Sequence, residues 1–468
     1  KLNIRDFKDV QSLVPGLSLA QNDNGIGTRS TLRGVAFDVN ASGNNGTIEF
    51  YLNDAPISSG VLFQSMFDVG QIEVLRGPQG TLRGRASPSG SITVTTRKPN
   101  LSSVGGYMTG TANDLGGWNV NGAFNVPVLE DKLAVRVAGI VEANRDNRVR
   151  SLNSPVRPRG ETQGIRASVL FEPFDILTMG FVYTHTDRKV TTFDQVESLP
   201  GAPVTILPKD RAARMVTPRN YRQNFEVFNW NGELRLASQK LNYVGSITKQ
   251  KIDWLGPVDI GGFFGPAFPE RVTAAGLTTA TGSTQENHEV RLSNDERIAG
   301  IFDYVVGYLY NNLQSPTNLL SDTLIFTGTP SASPLNLAVL NRTPIFRDGG
   351  YVENSYFGNL TAHIGDRTEI SGGIRKIKGH STGRLVIAGN LVPASLEDRK
   401  FSATIYSLSA KHRFSDQVMV YASYGTSWRP GSGTNSVIQR DNTAPTAAQA
   451  ALLFPDPEKS KSVEAGIK

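Results

Sequence analysis

IEVLRGPQGTLRGRASPSGSITVTTRKP, residues 72–99, holds two short β-rich runs, 72–75 and 91–96, around a loop carrying Gly77, Pro78, Gly80, Gly84, Pro88 and Gly90. Glycine reaches positive φ at little steric cost, so a loop this rich in glycine reads as a tight, hairpin-like turn. Phosphate cradling is the other reading of such a loop. It fails because no P-loop Lys-Ser/Thr follows and no helix opens after the glycines. Several hundred residues of alternating strands follow instead.

The 468-residue chain is long enough for two or three domains. It has no cysteine, 47 glycines, 25 prolines and only 38% hydrophobic residues, with no apolar run long enough to span a membrane as a helix. A porin-type barrel needs apolar residues on one strand face only, so low hydropathy fits it; a soluble all-β protein has the same composition. Zero cysteine excludes disulfides and Cys-ligated metal or Fe–S sites. The net charge of +6 comes from 48 basic and 42 acidic residues that are interspersed, which leaves no nucleic-acid footprint.

Residues 4–13 have helical spacing at Phe7, Val10 and Leu13, stopped by Pro15-Gly16. Strand-like runs follow at 29–33, 47–52, 72–75 and 91–96, with 37–45 and 57–60 read as exposed loops. From Gly105 the period is two. Val135, Val137 and Val141 alternate with Ala134, Arg136 and Ala138; Ile165 and Val169 with Arg166 and Ser168; Phe228 and Trp230 with Asn229 and Asn231; Val420, Tyr424 and Trp428 with Tyr421, Ser423 and Ser427. One apolar and one polar face is the pattern of a strand between lipid and a wet interior.

Connections alternate too. Short turns fall near 130–131, 173–175, 238–240, 295–299, 365–366 and 415–416. Long stretches fall at 147–161, 188–223, 254–283, 315–350, 379–400 and 430–461. This favours a transmembrane barrel over a soluble multi-sheet protein.

The 72–99 stretch, read with the strands behind it, resembles the plug domain of TonB-dependent outer-membrane receptors. Arg83 stands where the family carries an aromatic residue, and Ser87-Pro88 replaces a small-residue or glycine pair. The fold expected is an all-β transmembrane antiparallel barrel with an N-terminal mixed α/β plug in its lumen, residues 1–99 being plug and 104–468 barrel. About fourteen strands are expected in this chain, against about twenty-two in the full protein, so the chain is read as a fragment. The resemblance implies a TonB partner, with ExbB and ExbD, acting through an N-terminal region that precedes this stretch. It further implies an extracellular small-molecule ligand and outer-membrane lipid around the barrel of a Gram-negative bacterium.

Glu233-Leu-Arg-Leu236 and Glu289-Val-Arg-Leu292 repeat one pattern, each just before a short turn, and are expected at similar depth facing the lumen. Similar receptors hold plug arginines against wall glutamates. Arg33 and Arg76 are therefore expected to pair with Glu233 and Glu289, beside Arg235 and Arg291. Charged residues that merely line a wet lumen are the competing explanation. By the same resemblance the ligand pocket draws on 37–45 and 57–63 of the plug, hence Phe37, Asn40, Asn45, Ile57 and Phe63. Trp254, Phe263, Phe264 and Phe268 are its counterparts in an outer loop. Aromatic loops suit an amphipathic ligand, though loop self-packing or interface anchoring would produce them too.

The five histidines show no metal-ligand spacing, and no GxSxG or HExxH motif occurs. The expected function is energised import of a scarce nutrient, a ferric siderophore or another bulky ligand, with no enzymatic step and no covalently bound cofactor. Plant-derived, saccharide and aromatic ligands also occur among receptors with a similar plug start. The rivals are a surface binding or signalling receptor without transport and a plugged porin-like channel.

Overall fold

The computed structural model describes residues 7–21, 28–32, 35–37, 46–77, 81, 89–194, 197–198, 211–257, 276–326, 337–430, 446, 448 and 456–468. Its N-terminal part has helices α1 (Phe7–Leu13) and α2 (Ser59–Gln64). Its strands are β1 (Leu17–Gln21), β2 (Thr28–Leu32), β3 (Val35–Phe37), β4 (Ile48–Leu52), β5 (Ala55–Ile57), β6 (Val69–Arg76) and β7 (Gly90–Thr96).

After these come β8 (Gly105–Ala112), β9 (Trp118–Leu129), β10 (Leu133–Asn144), β11 (Arg150–Ser151), β12 (Arg159–Phe174) and β13 (Leu177–Thr192). Next are β14 (Glu197–Ser198), β15 (Arg211–Ala213), β16 (Arg219–Leu236), β17 (Gln239–Pro257), β18 (Gly276–Asn294), β19 (Phe302–Gln314) and β20 (Thr317–Phe326). The last are β21 (Leu337–Ile364), β22 (Thr368–Ile387), β23 (Asn390–Leu391), β24 (Glu397–Arg413), β25 (Met419–Arg429) and β26 (Glu458–Ile467).

The N-terminal part contains a three-stranded sheet, β1-β2-β3, and a four-stranded one ordered β5-β4-β7-β6. β4 is buried along its whole length because it lies between β5 and β7 under α2. Asn53 and Asp54, both at positive φ, make the two-residue turn between β4 and β5. β6 and β7 pair antiparallel, Ile72 opposite Val94, as the glycine-rich loop predicts. Gly77 (φ +82°) and Gly90 (φ +138°) open and close that loop, and a Cβ on Gly90 would lie 2.1 Å from the Leu75 carbonyl oxygen.

Of the other strands, all but β11, β14 and β15 build one antiparallel sheet of sixteen, fourteen of them on a single path from β8 to β26, with β20 and β23 paired at its side. Among the described residues no ladder joins β8 to β26. Contacts to the N-terminal part come from β10, β12, β16, β18 and β24, so the sheet curls around it as a barrel wall around a plug. Alternation decides which side chains face where. Ala134, Arg136, Arg166, Ser168, Phe225, Val227, Asn287 and Arg375 are buried toward the lumen, while Val137, Ile165, Phe181, Phe228, Leu360, Ile374 and Leu408 are exposed outside. Among the described residues no helix is long and apolar enough to cross a membrane, which says nothing of strands that do so.

The structure corrects the sequence reading in three places. Residues 57–60 are not an exposed loop, because Ile57 ends β5 and Val61, Leu62 and Phe63 of α2 are buried in the plug core. The long stretches are shorter than expected: β13, β17, β18 and β22 extend into them, and β20 and β21 pair within the 315–350 stretch. Paired strands can continue past the apolar band with polar residues on both faces, so alternation cannot report them. Trp428 leaves the outward row. Its ladder with β24 ends at Gly425, where the Thr426 hydroxyl bonds the Tyr406 amide (2.7 Å) and carbonyl (3.2 Å), and Trp428 is buried against Ile377, Ala403 and Ile405.

Candidate functional site

The plug segment from Ser65 to Asp68 links α2 to β6, and two lumen-facing arginines from neighbouring wall strands grip it. β10 and β12 pair with Ala138 opposite Arg166 and Arg136 opposite Ser168, so Arg136 and Arg166 stand side by side on one face. Arg136 donates Nε to Asp68 Oδ2 (2.7 Å) and Nη2 to Oδ1 (2.6 Å), a bidentate buried pair. Arg97 lies 3.9 Å from the same carboxylate, and the Tyr107 ring faces both guanidiniums, at 5.2 Å from Arg97 and 6.0 Å from Arg136.

Arg166 is fully buried. It donates Nη2 to the Ser65 carbonyl (2.9 Å), Nη1 to the Phe67 carbonyl and Nε to Thr184 (3.0 Å), with its guanidinium 4.4 Å from the Phe67 ring. A rigid five-donor fork suits this task, because its fixed N–H directions reach two carbonyls and a hydroxyl that are too far apart for one compact ammonium to hold as well. Gly164 makes room for the clamp, since a Cβ there would sit 3.1 Å from the Phe67 ring.

Three further plug–wall hydrogen bonds join neutral groups: Gln64 Nε2 to Gln223 Oε1, Asn287 Nδ2 to the Pro56 carbonyl (3.3 Å) and Thr81 to Ser407 (2.6 Å). Phe225 and Val227 of β16 join the plug core directly. A cavity of about 720 Å³ separates α1 and β6 from β8, β9 and β10, with Asp68, Arg97, Tyr107, Asn119 and Glu142 on its wall.

Glu233 and Glu289 each bond the arginine two residues along the same strand, Arg235 (2.8 Å) and Arg291, because i and i+2 share a face. Arg76 is exposed at the end of β6, and Arg33 lies outside the described residues. Arg136, Arg166 and Asp68 escaped the sequence reading, although both arginines already stood on the polar side of the alternation.

Ile57 and Phe63 are plug-core residues, Phe63 meeting Phe50 edge-on at 5.5 Å, so neither presents a surface to a ligand. Phe37 ends β3, and nothing further of its side chain is described; Asn40, Asn45, Phe263, Phe264 and Phe268 lie outside the described residues. Trp254 is on strand β17, not in a loop, 6.0 Å from the Arg219 guanidinium, which pairs with Asp194 at 2.7 Å. Next to it Arg188 lies 5.9 Å from the Tyr221 ring.

The outer segments above them fold together: β11, β15 and β14 form a small sheet over Val149, Phe193, Ala213 and Met215. At the outer end of β24, burial pushes the Glu397 carboxyl above its usual range, with Arg399 and Arg347 opposing. A hydrogen bond with His380 holds Asp398 below the usual range. Among the described residues no group of three or more His, Asp or Glu could hold a metal ion.

A family model described as the TonB-dependent receptor plug domain matches residues 1–91, and one described as the TonB-dependent receptor-like β-barrel matches 180–468. The pesticin receptor of Yersinia pestis is 22% identical over 475 residues, covering 97% of this chain and 62% of that protein. The catecholate siderophore receptor Fiu of Escherichia coli O6:H1 is 20% identical over 491 residues, covering 92% and 62%. The crystal structure of the ferric yersiniabactin uptake receptor FyuA from Yersinia pestis superimposes with a TM-score of 0.73 at 18% identity, over 98% of this chain and 66% of that one. The chain thus spans about three-fifths of the length of the curated relatives it matches.

Proposed function

The chain belongs to the TonB-dependent receptor family, and from that premise we propose that it imports a bulky extracellular ligand of the ferric-siderophore class across the outer membrane of a Gram-negative bacterium. In this reading residues 1–99 are the plug and 104–468 the barrel. The observation that carries it is the clamp: a folded domain fills the curve of the wall and is held there by a buried bidentate ion pair and a buried arginine. Breaking a buried pair from one side costs about 3–5 kcal/mol, so ligand passage needs work from outside the domain. TonB, coupled through ExbB and ExbD to the inner-membrane proton gradient, would supply that work. The wall residues Arg188, Arg219, Tyr221 and Trp254 would meet the ligand at the outer mouth, and no bond of the ligand need be made or broken.

The test is accumulation of iron-radiolabelled siderophore by cells carrying the receptor, with and without TonB. Loss of TonB is expected to abolish accumulation and leave binding at the cell surface intact. Unchanged accumulation overturns the reading.

A further inference from the structure

Residues 145–157 arch from the outer end of β10 toward β12, and the transport reading leaves this segment without a task. The arch is built, not loose. β11 pairs parallel with β15, and the Leu152 N–H donates to the Ala213 carbonyl at 2.9 Å. Val149 is buried with Phe193, Ala213 and Met215. The Asn147 side chain accepts from the Val149 N–H (3.0 Å) and donates to the Phe193 carbonyl (2.8 Å), while Asn153 Nδ2 reaches the Arg214 carbonyl at 2.7 Å. Arg148 sits at φ +59°, left-handed backbone that a residue with a Cβ seldom adopts, so the surrounding framework fixes that turn.

What the framework displays is arginine. Arg145, Arg148, Arg150 and Arg157 are all exposed, against one acid in the same stretch, Asp146. None of the four forms an ion pair among the described residues, whereas the neighbouring Arg159 and Arg219 are matched by Glu161 and Asp194. Leu152 and Val156 stand exposed among them.

Like charges held together with few acids between them repel, so the cluster gains the fold nothing. A rigid framework under it lowers the ordering entropy that a binding partner has to overcome. The guanidinium fork pairs bidentately with carboxylates, and arginine is enriched in protein–protein contacts. The exposed leucine and valine suit a protein surface better than a carboxylated polysaccharide, whose hydroxyl-rich rings offer little apolar area. We propose that the arch at residues 145–157 is a docking surface for an acidic protein, its arginines pairing with carboxylates and Leu152 and Val156 packing between them. This contact goes beyond the transport reading and requires no passage through the lumen.

The receptor, extracted in detergent and shown to be folded by heat-dependent gel mobility, would be titrated with a fluorescent peptide of repeating Glu-Leu-Glu-Ser, with empty micelles as the blank. Peptides carrying Gln or Lys in place of every Glu are the controls. The wild type is expected to bind the acidic peptide and neither control. R148Q/R150Q/R157Q is expected to bind it about tenfold more weakly at low salt, with the difference shrinking as salt rises. L152S/V156S should also weaken binding, whereas R384Q, whose charge Asp348 already engages at 3.7 Å, should not. Equal binding by wild type and triple variant, or by the acidic and control peptides, overturns the proposal. Unchanged binding by L152S/V156S, with polygalacturonate held as tightly as the peptide, would assign the arch to an acidic polysaccharide and overturn the protein reading. Accumulation of siderophore is measured separately, so failure of the docking surface leaves the transport reading standing.

Discussion

Glu233-Leu-Arg-Leu236 and Glu289-Val-Arg-Leu292 are near-copies on strands separated only by β17, yet their carboxylates live in different media. The Glu289 and Arg291 side chains are 5% and 17% exposed, against 28% and 53% for Glu233 and Arg235. Through β17, Glu233 is level with Asn242 and Asn242 with Arg291, so Glu289 sits one pleat repeat, about 7 Å, further from the short turns. Similar depth was expected, and the two differ by that step because the two hairpins close at different distances from the motif. Asn231, level with Glu289 on β16, is itself exposed, so position around the wall matters as well as height. Beside Glu289, Asn287 reaches the plug at Pro56, and this contact brings the buried copy into the plug–wall interface. A repeated motif specifies a face; the plug decides which copy is desolvated.

The buried end of that contrast is sharpest at the clamp. Asp68→Ala strands the Arg136 guanidinium in the interface and is expected to destabilise plug docking by about 3–5 kcal/mol. It is read as the urea concentration at which plug residues become protease-sensitive while the wall stays folded. An unchanged midpoint would mean that the clamp is not desolvated. Glu289→Gln should cost less, about 1–3 kcal/mol in the same assay, since the amide keeps one hydrogen bond to Arg291 but loses the charge. A double-mutant cycle of Glu289→Gln with Arg291→Gln sharpens the comparison, because a coupling near zero would place the pair in water-like surroundings.

Much of the wall was legible because one face must meet hydrocarbon, which forces Val, Ile, Leu and Phe into every second position of β10, β12 and β16. The clamp was not. Arg136 and Arg166 satisfy the same polar-face rule as any lumen residue, and nothing local to LAVRV or IRASV says that a carboxylate 68 residues away will meet the first. Phe63 was misread because a short buried helix after a turn looks like an apolar loop when only five or six residues carry the period, and Ile57 because the three residues of β5 are too few to show one. Trp428 was misread because a threonine hydroxyl replaced one ladder contact, which composition cannot show.

The exposed copy supplies the smallest effect and the strictest control. Glu233 bonds Arg235 along its own strand in contact with water, where attraction is weakened by the solvent dielectric and by salt, and where both side chains lose rotamer freedom to hold the geometry. Glu233→Gln leaves Arg235 fully hydrated and creates no buried orphan, so the urea midpoint is expected to move by less than about 0.5 kcal/mol. That small shift should shrink further in high salt, whereas the larger loss from Glu289→Gln should change little, because a buried pair is poorly screened. A Glu233→Gln loss as large as that of Glu289→Gln, and insensitive to salt, would mean that another surface covers the lower copy, and the distinction between the two motifs would fall with it.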